Sequence, residues 1–160
     1  RDLAQRRVSE LADAVVSYLG LDDAMVDRQG TGDGVLVFLP AEIDVSRTLS
    51  LLLPTWRDLL REDNALYTDR LQLRMAVTLG PVAPGPLGFV GDSATALGRL
   101  IDSQVLRTAV AAHAGVDLFV LLSDTLHSLV VDPSNAEFTR HAVVVKDYRS
   151  GAWLWVGRTW

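Results

Sequence analysis

The sequence contains no cysteine. This absence excludes disulfide bonds, a thiolate nucleophile and zinc sites with sulfur ligands. A chain without disulfides needs no oxidising compartment, so we expect a cytoplasmic protein. The sequence also lacks any apolar run that approaches the roughly 20 residues of a membrane-spanning helix, and no signal peptide opens it. We therefore expect no association with a membrane.

Positive charge is also scarce. The chain has 15 Lys and Arg against 20 Asp and Glu, which gives a formal net charge of −5. Because binding to nucleic acid requires a basic surface that neutralises phosphates, nucleic acid is not an expected partner. In other respects the composition is that of an ordinary globular protein, with 49% hydrophobic and 22% charged residues. A length of 160 residues predicts a single domain over residues 1–160.

Hydrophobic spacing predicts that the chain begins with a helix over residues 1–20. An apolar stripe recurs there at intervals of three to five residues: Leu3, Val8, Leu11, Val15 and Leu19. Arg6 and Arg7 fall away from that stripe, so we expect them on the solvent-facing side. Gly20 is a natural end for such a helix.

Glycine, proline and alternating apolar residues predict the other elements. Residues 24–29 and 35–39 form a hairpin around a Gly-rich turn at residues 30–34. Pro54 is expected at the first position of the next helix, where the missing N–H does no harm. The later predicted elements are a strand over residues 70–79, a loop over 80–88, helices over 93–102 and 104–113, a strand over 117–122, a helix over 123–130, and a final hairpin of residues 141–146 and 152–156 around Ser150 and Gly151.

This order predicts an α+β fold with a mixed sheet, helices packed on it and a C-terminal β-hairpin. It lacks only one strand, before the first helix, to complete the βαββαβ pattern of a ferredoxin-like core. That first strand would precede Arg1. We therefore expect either an uncovered groove in the sheet or a substitute strand from elsewhere.

Two stretches carry the strongest motifs. Residues 30–40, GTGDGVLVFLP, place a Gly-Asp pair before a buried strand, and residues 89–102, FVGDSATALGRLID, place a Gly turn before a helix that bears Arg99. Together they resemble the class III nucleotide cyclase homology domain, the catalytic fold of adenylate and guanylate cyclases, in a divergent bacterial form. Residues 71–80, LQLRMAVTLG, and the hairpin that begins at Val143 also resemble that family, so the likeness covers most of the chain.

The resemblance implies a nucleoside triphosphate and two divalent metal ions, Mg²⁺ or Mn²⁺, held by two aspartates. Asp33 matches the second aspartate, and the first would lie on the strand before Arg1. Arg99 matches the arginine that stabilises charge on the phosphates. Thr95 stands where the family has an asparagine that orients the ribose.

The resemblance also places nucleotide contacts at four further positions: Gln29, Gly32, Gly88 and Gly91. Gln29 and Gly88 stand where the family has a lysine and an acidic residue that read the purine. Asp33 and Arg99 are therefore the two functional groups of the family that remain, and we expect both to face a common cleft edged by the mixed sheet. From the residues alone, an aspartate such as Asp33 in a Gly turn is more often a turn residue than a metal ligand, and a helical arginine such as Arg99 is usually a surface or ion-pair residue.

Three functions follow from these residues. The first is a degenerate cyclase homology domain, a regulatory or nucleotide-sensing module of bacterial signalling with no enzymatic activity. The second is an active cyclase of non-standard base preference. The third is a non-catalytic protein-interaction domain that uses an aromatic face around Trp153 and Trp155, residues that would otherwise belong to a strand buried on both sides. The family resemblance also implies a homodimer.

Overall fold

A computed structural model of the chain describes residues 2–80, 83–85, 88–90 and 92–158. The predicted Gly91 lies outside the described residues. The chain divides into two compact units, Arg1–Leu71 and Gln72–Trp160.

The first unit contains two helices and a hairpin. Helix α1 spans Asp2–Tyr18, a short 3₁₀ turn spans Asp23–Met25, strands β1 and β2 span Asp27–Gly30 and Val35–Phe38, and helix α2 spans Val45–Leu66. The two strands pair antiparallel and form a sheet of their own. The first helix and the hairpin are therefore confirmed. Gly20, just beyond α1, has a φ of +71°, a conformation that glycine adopts without strain.

Helix α2 runs without a break through Pro54, so the prediction that a helix begins at this residue is wrong. The proline has no N–H to donate to the carbonyl of Ser50, which costs up to about 3 kcal/mol relative to alanine. The buried side chains of α2 lie on both sides of Pro54: Leu49, Leu53, Trp56 and Leu60. Since each such side chain contributes about 1.5–3 kcal/mol when buried, packing outweighs the lost hydrogen bond.

Arg7 of α1 is buried, with only 2% of its surface exposed, so its predicted solvent-facing position is wrong. Its Nε and Nη2 lie 2.8 and 2.7 Å from Oδ2 of Asp63, near the end of α2. Nη1 donates to the carbonyl of Asp69 at 2.7 Å, and Nη2 donates to Oδ1 of Asn64 at 3.0 Å. The guanidinium also lies 4.1 Å from the ring centroid of Tyr67. The charge is buried because all three guanidinium nitrogens have partners.

The second unit is built on a four-stranded mixed sheet in the order β3-β6-β8-β7. Its strands are β3 (Leu73–Val77), β6 (Leu118–Ser123), β7 (Phe138–Val145) and β8 (Tyr148–Val156). Strands β3 and β6 are parallel, and the other neighbouring pairs are antiparallel. Helices α3 (Asp92–Ile101) and α4 (Gln104–Ala112) connect β3 to β6, and α5 (Asp124–Val130) follows β6. The predicted α+β fold with a mixed sheet and a C-terminal hairpin is confirmed.

Helices α3 and α4 cover one face of this sheet. The buried residues that form the core between them are Leu100, Leu106, Ala109, Phe119, Leu121, Val143, Ala152 and Leu154. Before α3, the predicted loop over residues 80–88 contains part of a small antiparallel ladder, β4 (Ala83–Gly85) with β5 (Gly88–Val90). The sequence prediction failed there because prolines and glycines are typical of loops but are tolerated in strands that lie at an edge.

The final hairpin turns at Lys146 and Asp147 instead of the predicted Ser150 and Gly151. Lys146 has a φ of +54°, as the first position of such a tight turn requires. Gly151 lies within β8, opposite Ala142, and a Cβ there would overlap the side chains of Arg140 and Asp124. This glycine therefore provides room for a side-chain contact and does not form a turn.

In the part of the chain that the structure describes, no helix combines the length and the apolar surface that crossing a membrane requires.

The contacts of Arg7 predict a large effect of its removal. Arg7→Gln should lower the free energy of unfolding by about 3 kcal/mol, because it leaves the Asp63 carboxylate without its cation. Urea denaturation followed by circular dichroism measures this loss. Arg6→Gln is the matched control: Arg6 is the exposed neighbour on the same helix, and its replacement should change the stability by less than about 0.5 kcal/mol. Equal effects of the two substitutions would contradict the assigned role of Arg7.

Candidate functional site

The turn between β1 and β2 carries the predicted metal ligand. Thr31 and Gly34 close it with a backbone hydrogen bond of 3.0 Å, and the amide of Asp33 donates to the carbonyl of Thr31 at 3.1 Å. Gly32 has a φ of +80°, so the position before the aspartate requires a residue without a side chain. Asp33 is exposed at the tip of the hairpin. Gln29 lies in β1, two residues before the turn begins and opposite Leu36.

The surroundings of Asp33 test whether a two-metal site could form. Among the described residues, no group of three or more His, Asp or Glu side chains is placed to hold a metal ion. Within the described ranges, Asp33 therefore does not belong to a cluster of three such ligands. Two divalent cations bound to a triphosphate require more oxygen ligands than one carboxylate supplies. The described residues do not fit a two-metal centre by themselves.

Helix α3 carries the predicted phosphate-binding residue. Arg99 lies in its last turn and is half-buried. Thr95 lies one turn earlier and is exposed, so the two residues occupy the same side of the helix. No hydrogen bond or ion pair links the Arg99 guanidinium to another residue within the described ranges. Gly88 begins β5 and pairs with Gly85.

The predicted site residues therefore fall into two groups. Gln29, Gly32 and Asp33 lie together on the hairpin of the first unit. Thr95 and Arg99 lie together on α3 of the second unit. That Asp33 and Arg99 face a common cleft stays a prediction.

The structure also contains a polar cluster that the sequence did not reveal. We call it the Asp124 cluster; its members are Asp124, His127, Phe138, Arg140 and Trp153. Oδ1 of Asp124 accepts from the indole Nε1 of Trp153 at 2.9 Å and from Nε of Arg140 at 3.1 Å. Oδ2 accepts from Nη2 of Arg140 at 2.7 Å. One carboxylate thus joins helix α5 to both strands of the final hairpin.

Aromatic contacts complete the Asp124 cluster. The imidazole of His127 lies parallel to the indole of Trp153, with 3.6 Å between ring centroids and an interplanar angle of 1°. Phe138 presents its ring to the same imidazole at 5.5 Å and 68°. Trp155, two residues further along β8, is buried. Trp153 is half-buried and Trp155 is buried, so both indoles have contacts within the chain.

Charges in the Asp124 cluster affect its titration. The hydrogen bonds from Arg140, aided by the indole N–H, lower the pKa of the Asp124 carboxyl. Burial lowers the pKa of His127, and the nearby Asp124 charge opposes that shift in part. Asp124 accepts three hydrogen bonds that favour its ionised form, and a carboxylate whose pKa is lowered is a weaker base.

Sequence reasoning missed this cluster because its pairs are far apart along the chain. Asp124 is 16 residues from Arg140 and 29 residues from Trp153. The spacing of Asp124 and His127, three residues apart on a short helix, is a local signal that the two share a face. Only the pairing of β7 with β8 shows which residues meet that face.

Comparison with solved structures gives a likeness across most of the chain. The structure is similar to a crystal structure of an adenylate/guanylate cyclase/hydrolase from Silicibacter pomeroyi, with a TM-score of 0.62 and 19% sequence identity. The match covers 92% of this chain and 79% of that one. At this identity the likeness shows a cyclase-like fold and nothing about activity. No protein-family profile matches the sequence, and neither does any curated protein.

Asp124→Ala should test the structural role of the cluster. It removes the acceptor of the Trp153 N–H and the partner of Arg140, so we expect a loss of about 1–2 kcal/mol in the free energy of unfolding. The emission of Trp153 should change as well, because its indole N–H loses its partner. Asp147→Ala in the exposed hairpin turn is the matched control, with an expected change below about 0.5 kcal/mol. An Asp124→Ala variant as stable as the control would refute this role.

Proposed function

We propose that the chain is a divergent class III cyclase homology domain that acts as a regulatory, nucleotide-sensing module and does not cyclise nucleotides. The observation that carries this proposal is a cyclase-like fold in which two motif residues are kept and three are replaced. Asp33 and Arg99 are the kept ones. Thr95, Gln29 and Gly88 occupy the positions where the family has its ribose-orienting and base-reading residues.

The surroundings of Arg99 support binding of an anion. Other arginines that are half-buried or more have carboxylate partners: Arg28 lies 2.6 Å from Asp23, and Arg57 lies 3.0 Å from Asp58. Arg99 has no such partner among the residues described. A half-buried guanidinium has lost part of its hydration and still offers its donors, so an external phosphate group is a suitable acceptor.

The replaced residues support the absence of catalysis. The hydroxyl of Thr95 is shorter than an asparagine amide and cannot reach as far toward a ribose. Removal of one preorganised donor from an active site typically lowers kcat by about 10²- to 10³-fold. Gln29 and Gly88 provide neither the cation nor the carboxylate that would read a purine. A site altered at all three positions would bind a triphosphate chain more readily than it would position the ribose for attack.

The proposal also covers the setting of the module. The family resemblance implies that such domains work in pairs, so we propose a homodimer in bacterial signalling.

Two measurements with the purified chain test this function. Incubation with ATP, GTP, CTP or UTP and Mg²⁺ or Mn²⁺ should give no cyclic nucleotide by mass spectrometry. Calorimetry with the same nucleotides should show binding, and Arg99→Ala should weaken it at least tenfold because the phosphates lose their cation. Arg107→Ala, which removes an exposed arginine of α4, is the matched control and should leave the affinity unchanged.

Other outcomes would select the alternatives. Turnover of any of the four nucleotides would reject the regulatory function and favour an active cyclase of unusual base preference, in which Asp33→Ala and Arg99→Ala should each abolish product. No binding of any nucleotide at millimolar concentration would reject both and leave a non-catalytic protein-interaction domain.

A further inference from the structure

His127 is a buried titratable group to which the proposed nucleotide site gives no role. Only 4% of its surface is exposed, and its Nε2 atom has no hydrogen-bond partner among the described residues. The ring is held between the face of Trp153 and the edge of Phe138. A neutral imidazole can be buried here because one of its nitrogens carries no proton and therefore needs no acceptor. Its ring also packs against the other rings as an aromatic group.

A protonated imidazole does not fit the same place. Both of its nitrogens are donors, so Nε2 would carry a buried N–H with no acceptor and a share of a buried positive charge. Some of that cost is offset, because a cation is attracted to the indole face of Trp153 and to Asp124. Burial nevertheless remains the larger effect on His127.

The charged groups around His127 limit how it can be compensated. Asp124, on the same helix, is the nearby carboxylate, and its oxygens already accept from Trp153 and from Arg140 of β7. Strand β6 has no titratable side chain, and β8 presents the indole of Trp153. An imidazolium that moved to the carboxylate would compete with the three hydrogen bonds that Asp124 already accepts, two from Arg140 and one from Trp153. Protonation therefore weakens either the stacked rings or the hydrogen bonds of Asp124.

We propose that His127 is a pH-sensitive latch whose protonation releases helix α5 from the β7–β8 hairpin. Helix α5 has seven residues, and besides the Asp124 cluster it is held by the Ser123 hydroxyl at its N-terminus and the burial of Leu126. A short helix with so few attachments opens at a lower free energy than the whole unit unfolds. The latch thus acts locally, where α5 meets the β7–β8 hairpin.

The direction of the pH dependence follows from burial. Because the pKa of His127 is lowered in the closed form, the open form binds the proton more tightly. The closed form therefore has its full stability above the ordinary histidine pKa of about 6.5. It loses stability as the pH falls below that value, until His127 is protonated in the closed form too.

A titration of the unmodified chain tests the latch. NMR of His127 between pH 7.5 and 5 should show that it gains its proton at a lower pH than the ordinary histidine pKa of about 6.5. Amide exchange, corrected for its intrinsic pH dependence, should show that opening of α5 increases below pH 6.5, by at most about tenfold per pH unit since one proton is involved. Exchange in β6, at the centre of the sheet, should not follow the same course.

Two variants provide the matched comparison. His127→Phe keeps an aromatic ring on Trp153 but cannot be protonated, so opening of α5 should become independent of pH. His141→Gln removes a half-buried histidine of β7 and should keep the pH dependence of the unmodified chain. The latch is refuted if His127 titrates at or above its ordinary value, if exchange in α5 does not change with pH, or if His127→Phe retains the dependence. Should His127→Phe fail to fold, the titration of the unmodified chain decides alone.

Discussion

The structure depends on the requirement that a charge removed from water, in full or in part, must have partners. Each compact unit contains a charged residue with several partners where its elements join, the buried Arg7 in the first unit and the half-buried Asp124 in the second. In the first unit Arg7 links α1 to the end of α2 through Asp63, Asn64 and the carbonyl of Asp69. In the second unit Asp124 links α5 to both strands of the final hairpin. Apolar packing supplies most of the stability, but these polar joints fix which elements meet.

Local signals predicted much of the fold. The apolar periods gave α1, α3, α4 and the strands β3 and β6 within a few residues of their ends, and the Gly-rich turn gave the first hairpin. The errors occurred where a distant contact outweighs a local preference. Pro54 lies inside a helix because buried leucines hold both sides of it, and Gly151 lies inside a strand because Arg140 and Asp124 occupy the space of a side chain. Arg7 is buried for the same reason, since its partners are more than 50 residues away.

In the candidate site, too, residues set by local sequence were predicted and residues set by distant contacts were not. A turn needs only its own residues, so the sequence located Asp33 at the hairpin tip. A helix position also follows from local pattern, and the predicted helix over residues 93–102 places Thr95 and Arg99 one turn apart on one side of α3. The Asp124 cluster needs the register of two strands, and the sequence gives no direct measure of that register. Its residues could be recognised only after β7 had been paired with β8.

The groups that lack partners are informative because most buried or half-buried charges here are paired. Three buried or half-buried groups without a partner in the described structure differ from one another in charge: the guanidinium of Arg99, the Nε2 of His127 and the hydroxyl of Ser103. A neutral hydroxyl costs little and is readily satisfied by one buried water. A guanidinium stays charged at every physiological pH, so an anion from outside the chain is the partner that can compensate its charge. An imidazole avoids the cost by remaining neutral, and it therefore becomes sensitive to acid. The lack of a partner thus indicates a ligand site at Arg99 and a pH-sensitive switch at His127.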